Sequence, residues 1–165
     1  MLVPGTLALL PEYAGLADPV LDLRLACLEA VSWLGSSSDV VVLGDEQGTR
    51  VGHALLAAAG APAGARPAEG SAAYLVVGNG SARRSEKAPG HLDERAFAFD
   101  DGLRAALASS DANWSSYDLG ADLLASLDGI RELLGLLPPG CPAVIDYDDD
   151  PFGVQYWVMR WRCES

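Results

Sequence analysis

The stretch Ala72-Ala73-Tyr74-Leu75-Val76-Val77, followed at once by Gly78-Asn79-Gly80-Ser81, decides how the chain is read. An apolar run without polar alternation, closed by a glycine-rich turn, reads as a strand covered on both faces, the pattern of a parallel sheet between helices. Two other stretches have the same character. Asp39-Val40-Val41-Val42-Leu43 runs into Gly44-Asp45, and Ala143 to Tyr147 runs into the acidic turn Asp148-Asp149-Asp150-Pro151-Phe152-Gly153. The three are expected to be adjacent, buried strands.

Helical signals separate them. Asp18-Pro19 opens a helix as N-cap and first turn. Val20, Leu23, Cys27, Ala30, Val31 and Leu34 recur there at helical spacing, and Gly35 with three serines ends the run. Arg50 to Ala59 reads as a short helix and Gly60 to Gly70 as a loop. Leu92 to Ser109 reads as a helix with Phe97, Leu103 and Leu107 inward. Trp114 to Leu137 holds one or two more, with Gly120 and Gly129 as breaks and Pro138-Pro139-Gly140 as the stop. At the start, Leu2 to Leu10 suggests a short strand and a loop that Pro11 closes. At the end, Val154 to Trp161 is rich in β-formers and reads as part of a hairpin. Tyr156, Val158 and Arg160 would face one side of it, Trp157, Met159 and Trp161 the other. The expected architecture is α/β: a mainly parallel or mixed sheet, helices on both faces and a C-terminal β-hairpin, in one domain over residues 1–165.

Composition narrows the class. The chain has 165 residues, 50% of them hydrophobic and 21% charged, enough apolar content to offset ordering entropy. Eleven basic against 23 acidic residues give a net charge of -12. That argues against nucleic acid, whose binding needs a basic face, and against an anionic membrane surface. No run approaches a membrane span and no leader pattern opens the chain. The expectation is a cytoplasmic, bacterial-type protein. Ten of the eleven basic residues are arginines, with Lys87 the exception, which fits a GC-rich genome. Cys27, Cys141 and Cys163 are odd in number and widely spaced, which argues against a disulfide framework or zinc site. Cys27 reads as a small buried hydrophobe.

Ligands of open α/β sheets bind beyond the carboxyl ends of the strands. Three loops here occupy such positions: Gly5-Thr6, Gly44 to Arg50, and Gly78 to Arg84. In the third, glycines allow an anion nest of backbone amides, and Arg83, Arg84 and Lys87 supply charge. The alternative is a tight turn whose arginines pair with acids such as Glu86, Asp93 and Glu94. Asp146 and Asp148 to Asp150 lack the spacing of a calcium loop and read as a solvated turn. His53 and His91 lack metal-ligand spacing, and Ser81 has no histidine partner for a triad.

Three segments resemble the subunit-B-like class III extradiol ring-cleavage dioxygenases, in particular a short actinobacterial branch; Memo-like proteins are more distant relatives. They are Val3-Pro4-Gly5-Thr6-Leu7-Ala8-Leu9-Leu10-Pro11-Glu12-Tyr13-Ala14-Gly15, the run from Gly78 to Asp100 that opens Gly-Asn-Gly-Ser-Ala-Arg-Arg, and Tyr147 to Val154. The middle segment is the specific one. The resemblance implies an iron centre of two histidines and a glutamate with open positions. It also implies that Gly5 stands where the first histidine would, that the second falls near Gly44, Asp45 and Glu46, and that Ala82 replaces the acid/base histidine. The glutamate has no assigned counterpart; Asp122 is one of several acids that could fill its place. No cofactor is therefore expected.

Two functions follow as expectations. One is a non-catalytic domain that binds a small anionic ligand or a partner in a cleft formed by Gly5, Asp45, Glu46, Asn79, Ser81, Arg83, Arg84 and Lys87. The other is an enzyme of this superfamily with altered chemistry, using Asp45, Glu46, Ser81 and the arginines. The apolar hairpin further suggests a homodimer, since one of its faces needs a helix or a second chain to cover it.

Overall fold

The computed structural model describes residues 1–15, 17–34, 40–61 and 73–163. The ends of two expected strands, Asp39 and Ala72, lie outside these residues, as do Gly35 with its serines and residues 62–70 of the expected loop.

The sheet has five strands in the order β2-β3-β1-β5-β4. They are β1 (Leu2–Val3), β2 (Val40–Leu43), β3 (Ala73–Val77), β4 (Ala143–Asp149) and β5 (Tyr156–Trp161). β1 and β2 run parallel to β3, while β5 is antiparallel to both β1 and β4. The sheet is thus mixed, with the expected hairpin at its end. The helices are α1 (Leu21–Leu34), α2 (Glu46–Ala58), α3 (Arg95–Ser109), α4 (Tyr117–Asp122) and α5 (Asp128–Leu136).

Period-2 alternation sorts the strand residues into two cores. Val3, Leu75, Val77, Tyr156 and Val158 pack with α1 and α2. Leu2, Val76, Trp157, Met159 and Trp161 pack with α3 and α5. The hairpin residues divide as the sequence predicts, and the chain's own helices cover both sets. The apolar hairpin therefore supplies no motive for a second chain.

Several expectations change. Ala143 to Tyr147 is not a third buried strand beside the others. It belongs to the edge strand β4, separated from β3 by β1 and β5, and its residues alternate between half-buried and exposed. Val144 is 55% exposed; its β-branched shape suits an edge as well as a centre, so composition alone misplaced it. β2 forms the opposite edge, with only Val40 fully buried. α2 starts four residues before Arg50, because the Asp45 side chain accepts from the Gly48 amide and caps it. In α3, Phe99 rather than Phe97 faces inward. Between Trp114 and Leu137 the break falls at residues 123–127; Gly120 and Gly129 lie inside α4 and α5. The first strand stops at Val3, and Leu7–Leu9 forms a helical turn under the Thr6 cap.

The cysteines overturn the expectation that none is bridged. Cys141 and Cys163 form a disulfide, while Cys27 is free and fully buried. The bond spans the open end of the β4–β5 hairpin, two segments that sheet pairing already brings together. Sequence spacing carries no trace of that proximity. Disulfides persist in oxidising compartments, so the cysteines give the cytoplasmic expectation no support. None of the helices among the described residues is long and apolar enough to cross a membrane.

The bond closes a segment with a sequence separation of 22, which by chain entropy stabilises the fold by about 3–4 kcal/mol. Thermal melts with and without a thiol reductant should therefore differ by several degrees, and the Cys163→Ser variant should melt like the reduced protein. Identical melting in all three would remove the staple.

Candidate functional site

The carboxyl ends of β1, β2 and β3 point the same way, so Gly5, Asp45 and Asn79 converge. A Cβ on Gly5 would lie 3.9 Å from Asn79 Oδ1. The Gln47 side chain donates to the Gly5 carbonyl at 2.7 Å. Asp45, an exposed residue, is held from two directions: Oδ1 accepts from the Gly48 amide at 2.6 Å, and Oδ2 from Ser126 Oγ at 3.0 Å. Ser126 and Asn79 also exchange both backbone hydrogen bonds, each 3.1 Å. Glu46 is exposed on the first turn of α2.

This crevice is closed by main chain rather than open. A Cβ on Gly129, in the first turn of α5, would lie 2.8 Å from the Leu43 carbonyl oxygen and 2.9 Å from that of Val77. One on Gly78 would lie 2.7 Å from the Ser126 carbonyl. Only glycine permits such approach. The start of α5 thus sits directly on the strand ends where ligands of open sheets usually enter.

Ser81, Arg83, Arg84 and Lys87 lie beyond Asn79, in a second cluster. The expected nest of amides is already filled. The N–H groups of Gly78, Asn79, Gly80, Ala82 and Arg84 donate to the carbonyls of Val3, Ser126, Gln155, Leu123 and Gly153. The Ser81 amide and hydroxyl donate to Asp100 at 2.8 and 2.5 Å. Arg84 donates to the same carboxylate at 3.1 Å and to Asp150 at 2.7 Å, while its guanidinium lies over the Phe97 ring at 4.7 Å. The loop does cradle an anion, but that anion is Asp100, 1% exposed. Arg83 donates to the carbonyls of Gly90 and Asp122 and lies 3.9 Å from Asp93. Of the acids named from sequence, only Asp93 is a partner; the carboxylates that matter, Asp100 and Asp150, lie far along the chain. Lys87 is exposed. The other hairpin acids are similarly engaged, Asp146 with Arg160 and Asp148 with Arg104.

Burial raises the Asp100 carboxyl above its ordinary range, against the pull of Ser81 and Arg84. Asp93 is held down to about 2, chiefly by its hydrogen bonds from Arg95.

The donor set does not fit the iron centre implied by the resemblance. Gly5 and Ala82 carry no ligand or proton carrier, and Asp45 has both oxygens engaged. His53 is exposed on α2, and His91, also exposed, lies beside the Glu86 carbonyl. Among the described residues, no group of three or more His, Cys, Asp or Glu side chains is placed to hold a metal ion. Compared with protein-family models, with curated proteins and with solved structures, the chain matches none.

Sequence reasoning missed Gln47, Asp100, Ser126 and Gln155. Asp100 had a signal: it occupies the inward stripe of α3 with Ala96, Phe99 and Leu103, where a carboxylate demands a partner. Ser126 had none, since 81 residues separate it from Asp45.

Two outcomes follow. Arg84→Ala should cost roughly 3–5 kcal/mol, because it leaves a buried carboxylate short of its cation; a chemical melt within 1 kcal/mol of the parent on that same scale would contradict the pairing. Asp93 has a lowered value in the fold, so its contribution is complete above the ordinary 3.8 and is lost as pH falls toward about 2. A carboxyl titration by NMR should show Asp93 still ionised at the midpoint of ordinary aspartates.

Proposed function

We propose that this chain is a non-catalytic domain of the extradiol dioxygenase subunit-B-like type, binding a small organic anion or a protein partner. The closed crevice carries this reading: the region that would hold metal and substrate is occupied by the start of α5 and by the Asp45–Ser126 hydrogen bond. General acid or base catalysis needs a titratable group within reach of a substrate. Ser81 is fully buried against Asp100, and Arg84 meets carboxylates through Nε, on Asp150, and Nη1, on Asp100. The enzyme alternative, built on Asp45, Glu46, Ser81 and the arginines, would have to free Ser81 and Arg84 from Asp100 and Asp45 from Ser126, which leaves the exposed Glu46 as its one unengaged carboxylate among the described residues.

The test is anaerobic loading with Fe(II), removal of excess metal, and oxygen-uptake assays with protocatechuate-like diols. No uptake above a protein-free control is expected, and no ring-opened chromophore. Ring cleavage that tracks stoichiometric iron would overturn the reading.

A further inference from the structure

At the amino ends of β1 and β3, opposite the closed crevice, lies a cavity of about 510 Å³. That volume falls within the range of small-molecule pockets. Both helical layers contribute to it: Trp33 from the last turn of α1, and Leu133 and Leu136 from α5. Tyr74 and Trp161 come from the sheet. Trp33 and Leu136 stay 36% and 48% exposed, so the fold leaves large apolar side chains facing water in a concavity. A concavity lined by such side chains together with a few polar groups is the usual form of a small-molecule site.

The charge at the rim says what kind of ligand fits. Two guanidiniums approach the Trp33 ring, Arg160 at 5.2 Å and Arg162 at 5.6 Å. Arg160 is held at both ends by Asp146, through contacts of 2.5 and 2.7 Å. Arg162 forms no ion pair among the described residues, in a chain with 23 acids for 11 bases. A guanidinium that lies over a ring keeps the N–H donors along its edge, in the fork geometry that a carboxylate matches.

We infer that this cavity binds an organic anion with an apolar body, its ring or chain among Trp33, Tyr74, Leu136 and Trp161 and its carboxylate on Arg162. The inference rests on the binding half of the proposed function and adds the place and the ligand class. It places the site at the opposite end of the sheet from the closed strand ends.

Calorimetry with 2-naphthoate and with decanoate distinguishes a ring from a chain as the apolar body; 2-naphthylmethanol is the neutral control. Saturable binding of at least one carboxylate is expected, with a change in tryptophan fluorescence. Arg162→Ala should weaken it roughly tenfold and change the neutral control less than about twofold. Leu136→Asn should weaken both. Both substitutions sit at exposed positions and should leave the melting temperature unchanged. No saturation by either carboxylate at millimolar concentration would overturn the inference. So would binding that neither substitution alters, although that result would leave a binding protein whose site lies elsewhere. Ring cleavage by the iron-loaded protein would instead overturn the non-catalytic reading and leave the cavity result standing.

Discussion

Asp100 is a carboxylate on the buried stripe of a helix, and a charge so placed must be matched by donors from elsewhere. Ser81 supplies an amide and a hydroxyl, and Arg84 a guanidinium that reaches on to Asp150 in the hairpin turn. One carboxylate thereby fixes three parts of the molecule relative to one another: α3, the loop after β3, and the β4–β5 connection. The conformation of that loop follows, and with it the position of Asn79 and its backbone pairing with Ser126. That pairing in turn sets Ser126 against Asp45. The same loop thus joins the Asp100 cluster to the crevice, which the close main-chain approaches at Gly78 and Gly129 shut.

Much of the fold was legible because alternation and helical spacing are local. The two faces of β5 could be assigned residue by residue, and the α1 stripe of Leu23, Cys27, Ala30, Val31 and Leu34 is buried as its spacing indicates. The order of strands was less legible. Val41 and Val144, on edge strands, are β-branched like Val76 and Val77 in the centre, and nothing near them in sequence distinguishes an edge from a centre. The disulfide was hidden for the same reason, since hairpin register brings Cys141 and Cys163 together. In the site, the arginine-rich loop is, as one of its two readings has it, a turn whose arginines pair with acids; Asp93 is among the acids named from sequence, while Asp100 and Asp150 are not. The sequence displays cations and glycines; which anion they hold depends on a helix that packs back over them.

The two ends of the sheet now differ in kind. At the carboxyl ends of β1, β2 and β3, polar groups satisfy one another and glycines bring main chain against main chain. At the amino ends, aromatic and aliphatic side chains remain in contact with water beside an arginine. Buried polar groups that lack water must find partners in the protein, and the hydrogen bonds made by Asn79, Ser126, Asp45 and Gln47 meet that demand at the closed end. No such pressure acts on the opposite end.

The outer edge of β4 carries a consequence for crowded solutions. An open strand edge is a template on which another chain can add its own strand. Here the strand includes Asp146, Asp148 and Asp149, all exposed, and Arg160 and Arg104 already engage two of them from within. Asp149 is the one carboxylate of the strand without an ion pair among the described residues. A strand added here would have to desolvate these carboxylates and their guanidiniums, a cost that a row of apolar side chains would not impose.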